Sequence, residues 1–161
     1  MQNISRYIKI FIAINFFTGI LWPADNAYAL EPLFFGENKS PTLQIDIKHL
    51  LSGNSYDFPS DYIIAETELN GDYLPEYILK EKNCDSADYS CRFLVIGQNK
   101  NKLTVLTQIQ ASNLVIPNAK NYGVRDILAF QNPENDYDYK RYIWSPELSH
   151  YTVKGEELLN Q

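Results

Sequence analysis

Tyr62-Ile63-Ile64-Ala65-Glu66-Thr67-Glu68-Leu69-Asn70-Gly71-Asp72-Tyr73-Leu74-Pro75-Glu76-Tyr77-Ile78-Leu79-Lys80-Glu81 is the stretch on which the fold turns. Tyr62 to Leu69 and Glu76 to Glu81 are rich in branched and aromatic residues at period two, the spacing that puts successive side chains on opposite faces of a strand. Asn70-Gly71-Asp72 lies between them and supplies turn chemistry, so the segment predicts a β-hairpin. The same period continues almost to the C-terminus. Arg92 to Ile96 is apolar on both faces, which marks a central strand covered on two sides. Leu103 to Ile109 sets Leu103, Val105, Thr107 and Ile109 against Thr104, Leu106 and Gln108, and should pair back on it. Leu114 to Ile116 runs into Pro117, which cannot donate to a ladder and suits an edge. Val124 to Phe130, Tyr139 to Trp144 and His150 to Val153 complete the strands, with a loop at Asn132 to Tyr137 and a frayed tail from Lys154.

N-terminal to the hairpin the period changes. Ser40 has the chemistry of a helix cap, Pro41 suits the first helical position, and Leu43, Ile47, Leu50 and Leu51 recur at helical spacing up to Gly53. Leu43, Ile45 and Ile47 also alternate, so a strand is the rival reading. Leu30 to Lys39 has no clear period and is expected to lie extended or to pack through Leu33, Phe34 and Phe35. The class expected is α+β, mostly β: one antiparallel meander of about six or seven short strands with one short N-terminal helix.

Residues 1–29 read as a secretory signal peptide. Arg6 and Lys9 precede a mostly apolar run from Ile10 to Trp22, and Ala27-Tyr28-Ala29 forms a small-residue cleavage site. An uncut membrane anchor is the alternative, but a spanning helix takes roughly 20 apolar residues and this run is shorter and holds Asn15, Thr18 and Gly19. Residues 30–161 then form a single globular domain, periplasmic or secreted, with no stable membrane anchor after cleavage.

Residues 30–161 carry 12 basic and 19 acidic side chains, a formal charge of −7. This balance disfavours nucleic acid and anionic membrane surfaces. The acid is concentrated: Asp57 to Cys91 holds nine acidic residues against Lys80 and Lys82, and the rest of residues 30–161 is neutral overall. Such a window is either a solvated face or a field that draws in a cationic partner or a divalent cation. Cys84 and Cys91 enclose six residues, and in an oxidising compartment a short-range disulfide is the default.

Within the hairpin, Glu68, Asn70, Asp72 and Glu76 place oxygen side chains at alternating offsets around a glycine, the manner in which a hard cation such as calcium collects ligands; a plain hairpin turn is the alternative. The segment resembles the Asp-x-Asn-Gly-Asp-Gly loops of exported calcium-binding repeats. It is also similar to the Leu-Asn-Gly-Asp-x-x-Pro-Glu-Tyr segment of a broad group of small exported bacterial proteins of largely unknown function, in which two cysteines and a late Tyr/Trp-rich strand follow. Those features would be Cys84, Cys91 and Tyr142 to Trp144. The chain departs from the calcium pattern at Glu68, where aspartate is expected, and at Tyr73, which stands where glycine permits the sharp turn.

Catalysis finds little support. His49 and His150 lie in no nucleophile or metal motif, and Glu66 and Glu68 lack the separated environments that an acid/base pair requires. Tyr137, Tyr139, Tyr142, Trp144 and Tyr151 crowd the last third with Lys140 and Arg141. Alternation lets only one set of these face a core, and Tyr142 and Trp144 are the expected set. Together these features predict a non-enzymatic exported binding protein without a cofactor. An inhibitor or immunity protein occluding a basic cell-wall-degrading enzyme fits, with Asp85, Ser86, Asp88, Tyr89 and Tyr137 as partner contacts. A calcium-binding structural or adhesion module is the alternative.

Overall fold

The computed structural model describes residues 30–37, 40–53, 57–84, 91–100, 102–132, 134–135 and 138–154. The expected leader at 1–29, the loop residues Asp85, Ser86, Asp88 and Tyr89, and Tyr137 lie outside the described residues.

The helix forms where its cap predicts. The Leu43 amide donates to Ser40 Oγ at 3.4 Å and the Gln44 amide to the Ser40 carbonyl at 3.1 Å, which opens α1 (Pro41–Gly53). Its apolar stripe buries Ile47 and half-buries Leu43, Leu50 and Leu51. Ahead of it, β1 (Leu30–Glu31) is a two-residue strand. After it come β2 (Tyr62–Thr67), β3 (Glu76–Glu81), β4 (Cys91–Asn99) and β5 (Lys102–Ala111), which pair antiparallel in sequence order as a four-stranded sheet. The remaining strands are β6 (Asn113–Pro117), β7 (Lys120–Asn121), β8 (Val124–Arg125), β9 (Ile127–Phe130), β10 (Tyr139–Ser145) and β11 (His150–Val153). A second sheet has the order β1-β6-β9-β10-β11, and β7 pairs only with β8.

The fold is mostly β, but the expected single meander of about six or seven strands is corrected to one helix and eleven strands in three sheets among the described residues. The reason lies in β4, where Phe93, Leu94, Val95 and Ile96 are all fully buried. A strand apolar on both faces needs a layer on each side. The helix supplies one: Ile47 packs in a core with Ile64, Tyr77, Leu79, Leu94 and Ile96. The later strands supply the other: Phe93, Val95 and Ile78 pack against Leu114, Ile116, Ile127, Ala129 and Tyr151. The chain therefore leaves the first sheet at Ser112 and builds the second across its face.

Three local expectations are also revised. The ladder between β4 and β5 shifts register between Val95 and Ile96, so that Val95 faces Thr107, Ile96 faces Val105, and Leu106 is the extra residue of a bulge. Leu103 and Val105 consequently belong to the helix-side core and Ile109 to the other, although strict alternation would give them one face. Pro117 does not mark an edge, because β6 lies between β1 and β9 and Leu30 pairs with Pro117. Val124 to Phe130 is broken at Asp126, which is fully buried and binds Arg141 instead of extending a ladder. Tyr142 and Trp144 do pack against the inter-sheet core as expected. Cys84 and Cys91 form the disulfide, and among the described residues no helix is long and apolar enough to cross a membrane.

Candidate functional site

The seven described carboxylates of the acidic window do not form one patch. In the β2–β3 hairpin Tyr62 pairs with Glu81 and Thr67 with Glu76, so the acids fall toward opposite ends of a six-residue ladder roughly 17 Å long. At the open end the charge is compensated. Lys82 approaches Glu37 at 3.3 Å and Asp61 at 3.7 Å, while Arg92 binds Glu81 at 3.1 Å and approaches Asp57 at 3.6 Å. The Arg92 guanidinium, by hydrogen bonding, holds the Glu81 carboxyl below the usual carboxylate range. At the turn end Glu66, Glu68 and Asp72 form no ion pair among the described residues. Negative charge at the hairpin tip is thus held in no ion pair, although Lys120 Nζ lies beside the turn, 3.9 Å from where a Cβ on Gly71 would stand.

That tip is built from side-chain oxygens turned onto the backbone. Glu68 Oε1 accepts from the Asn70 amide at 3.1 Å and also from the Gly71 amide. Asn70 Oδ1 accepts from the Asp72 amide, and Asp72 Oδ1 from the Leu74 amide, each at 2.8 Å. These are successive Asx turns, in which a side chain satisfies a donor that no ladder reaches. Glu76 anchors the base: Oε2 accepts from the Leu69 amide at 2.6 Å and Oε1 from Asn70 Nδ2 at 2.9 Å. Its side chain is 1% exposed. Burial pushes its pKa up to about 7, with the charges of Asp72 and Glu68 adding to the rise and the Leu69 amide opposing it.

The four residues expected as calcium ligands are therefore brought together, but they chiefly bind one another and the loop amides. Among the described residues no group of three or more His, Cys, Asp or Glu is arranged to hold a metal ion. The backbone of the turn is informative at two positions. Gly71 has φ 82°, where glycine is at ease, but Tyr73 has φ 64° and its side chain is 94% exposed. A bulky residue in the left-handed region costs roughly 1–2 kcal/mol, and no core contact of this ring offsets it.

Concavities flank the tip on both sides. One, of about 390 Å³, opens between the two sheets and is lined by Asn70, Glu76, Gln98, Thr104 and Trp144 among others. The other, of about 340 Å³, is lined by Glu66, Thr67, Glu68, Tyr73, Leu74 and Pro75. Thr67 is 5% exposed, and its Oγ1 has no hydrogen-bond partner, the sole buried side-chain oxygen or nitrogen of that kind among the described residues. Neither Thr67 nor the exposure of Tyr73 could be read from residue types. Alternation places Thr67 inward at the end of β2, and an inward hydroxyl at a strand end is the one available signal. A larger groove of about 670 Å³ lies between α1 and β2, but its Lys82 and Asp61 are paired with each other at the open end of the hairpin. Both histidines are exposed. No family model, no curated protein and no solved structure matches the chain.

Proposed function

We propose that this is an exported, non-enzymatic binding protein that occludes a basic protein partner, and that the β2–β3 tip is the part it inserts. The observation that carries this reading is the tip itself: a short loop locked by its own side chains presents Tyr73 almost wholly to solvent, in a strained conformation, amid carboxylates without ionic partners. Rigid loops bind at low entropic cost, and a tyrosine brings contact area with a polar end. An acidic tip whose carboxylates form no ion pair steers a cationic partner and repels acidic ones. Export to the periplasm or beyond is supported by the leader-like residues 1–29 and by the Cys84–Cys91 disulfide, which an oxidising compartment favours. Cell-wall-degrading enzymes work in that compartment and are often cationic, so an inhibitor or immunity role against one of them fits.

The test is calorimetric titration of the protein into purified lysozyme, and into other basic cell-wall hydrolases, across a range of ionic strength. Association that weakens as salt rises, and that weakens further in Tyr73→Gly, supports the reading. Association that is undetectable at low salt, or indifferent to salt, overturns it.

A further inference from the structure

The inter-sheet concavity of about 390 Å³ lies where four chain connections converge. Its lining draws on the β2–β3 turn through Asp72, on the β4–β5 turn through Asn99 and Thr104, on the β7–β8 ribbon through Val124 and on the β10–β11 turn through Ser149. Among the described residues, four that are not glycine have a left-handed backbone: Tyr73 (φ 64°), Lys100 (φ 56°), Tyr122 (φ 51°) and Ser149 (φ 53°). One falls in each of those four connections. Such residues are costly wherever they occur, and they gather at ligand sites. The floor is irregular too. Leu106, the extra residue of the β4–β5 bulge, lies over Gly97, where a Cβ would stand 3.0 Å from its methyl carbons. A bulge re-aims a side chain, and here it turns Leu106 onto β4. The Trp144 indole, which also lines the concavity, is half-buried, meets the Tyr151 ring edge to face at 5.6 Å and finds no acceptor for its N–H among the described residues. Since Thr67 Oγ1 is the one sealed side-chain atom without a partner, this N–H is open to solvent.

We propose that this concavity binds a neutral saccharide, whose ring lays its apolar C–H face on Leu106 and Trp144 and whose hydroxyls meet Asp72, Asn99, Thr104 and Ser149. The site goes beyond the protein-binding role and does not rest on it. Among the described residues no lysine or arginine lines the concavity, so nothing in it neutralises an anion. Asn99, Thr104 and Ser149 are exposed, and their side chains make no hydrogen bond among the described residues. Each of them both donates and accepts, the indole N–H donates and Asp72 accepts, and the ligand group that answers all of these is a hydroxyl. Asp72 is held in place: its Oδ2 accepts from Asn70 Nδ2 at 3.1 Å, and the same Nδ2 donates to the buried Glu76 at 2.9 Å. The electron-rich face of an aromatic ring attracts the C–H groups of a sugar, which carry slight positive charge. Small-ligand sites combine such an apolar surface with a few placed polar groups, in volumes of roughly 300–1,000 Å³.

Trp144 is the one tryptophan of residues 30–161, so its indole N–H gives a single resolved signal in amide NMR. Protein purified from cells expressing the full chain is titrated with cellotriose, mannotriose and the trimer of N-acetylglucosamine, and with the neutral peptide acetyl-trialanine amide. At least one saccharide should bind saturably, moving the indole signal and the amides of residues 97–106 and 144–149. Asn99→Ala and Thr104→Val, both at exposed positions, should each weaken it about fivefold, the loss of one neutral hydrogen bond. Ser149→Gly should weaken it while leaving the urea midpoint no lower, because glycine takes a left-handed backbone freely. Saturation by the peptide and by no saccharide, shifts centred on the groove between α1 and β2, or an affinity untouched by both Asn99→Ala and Thr104→Val overturns the proposal. So does the absence of saturation with all three saccharides. A saccharide bound by a protein that ignores every basic hydrolase leaves this site standing and removes the protein-binding role.

Discussion

Thr67 and Tyr73 are both poor choices for stability, and both line the concavity beside the tip. At Thr67 the native hydroxyl is buried without a partner, so Thr67→Val, which keeps the branched shape, removes a desolvation cost and should stabilise the protein by about 1 kcal/mol, read from the midpoint of urea unfolding. A loss of stability would show that the hydroxyl is satisfied in solution. Stabilisation at the expense of binding is the usual signature of a residue kept for function. The sequence offered part of this. Tyr73 stood out because it occupies the place of a glycine in a turn, but its exposure depends on where the loop points, which no residue type encodes. Thr67 looked like an ordinary strand residue.

At the scale of the element, the β2–β3 hairpin is a ladder whose turn is held by carboxyl and amide side chains, with Glu76 as its buried foot. The folded-state pKa of Glu76 is raised, so folding takes up a proton between pH 4.5, the ordinary value, and about 7. Its contribution is therefore fully present below about 4.5 and declines as pH rises to about 7, where ionising the buried carboxyl works against the folded state. Thermal or urea unfolding followed across pH 4 to 8 should show this decline, and Glu76→Gln should flatten it. A profile with the same slope in both proteins would assign the pH dependence to other groups. The hairpin, the helix and most strand positions were legible because period two, period 3.6 and capping residues are local signals. The bulge at Leu106 was not, because an extra residue in a ladder becomes visible only once the partner strand is laid beside it.

For the molecule as a whole, the second sheet is tied to the first by apolar packing, and two arginine-centred clusters tie the β7–β8 ribbon to the second sheet. Asp126, fully buried, accepts from Arg141 Nε at 2.7 Å and from Asn121 Nδ2. Next to it Arg125 binds Glu31 and the carbonyls of Pro117 and Ile116, and its own carbonyl accepts from the Tyr151 hydroxyl at 2.7 Å. Burial, together with the charges of Glu76 and Asp126, raises the Tyr151 pKa, so that hydroxyl stays protonated as a donor. Removing one member of such a cluster leaves the others buried and unpaired. Asp126→Ala should cost about 3 kcal/mol of unfolding free energy in urea, and a cost under about 1 kcal/mol would show that water reaches Arg141 readily.

The order of residues by itself determined the antiparallel, mostly β character, the helix and its cap, the hairpin turn and the proximity of Cys84 to Cys91, because each depends on spacing along a few neighbouring positions. Only the tertiary structure decided the rest: the division of strands into sheets, the separation of the described acids into an ion-paired end and a tip without ion pairs, and the burial of Glu76 and Thr67. Those outcomes depend on which face of β4 each later strand covers and on which distant arginine reaches which carboxylate. Distances across the fold, and the screening that comes with them, are set when layers pack, not when residues follow one another.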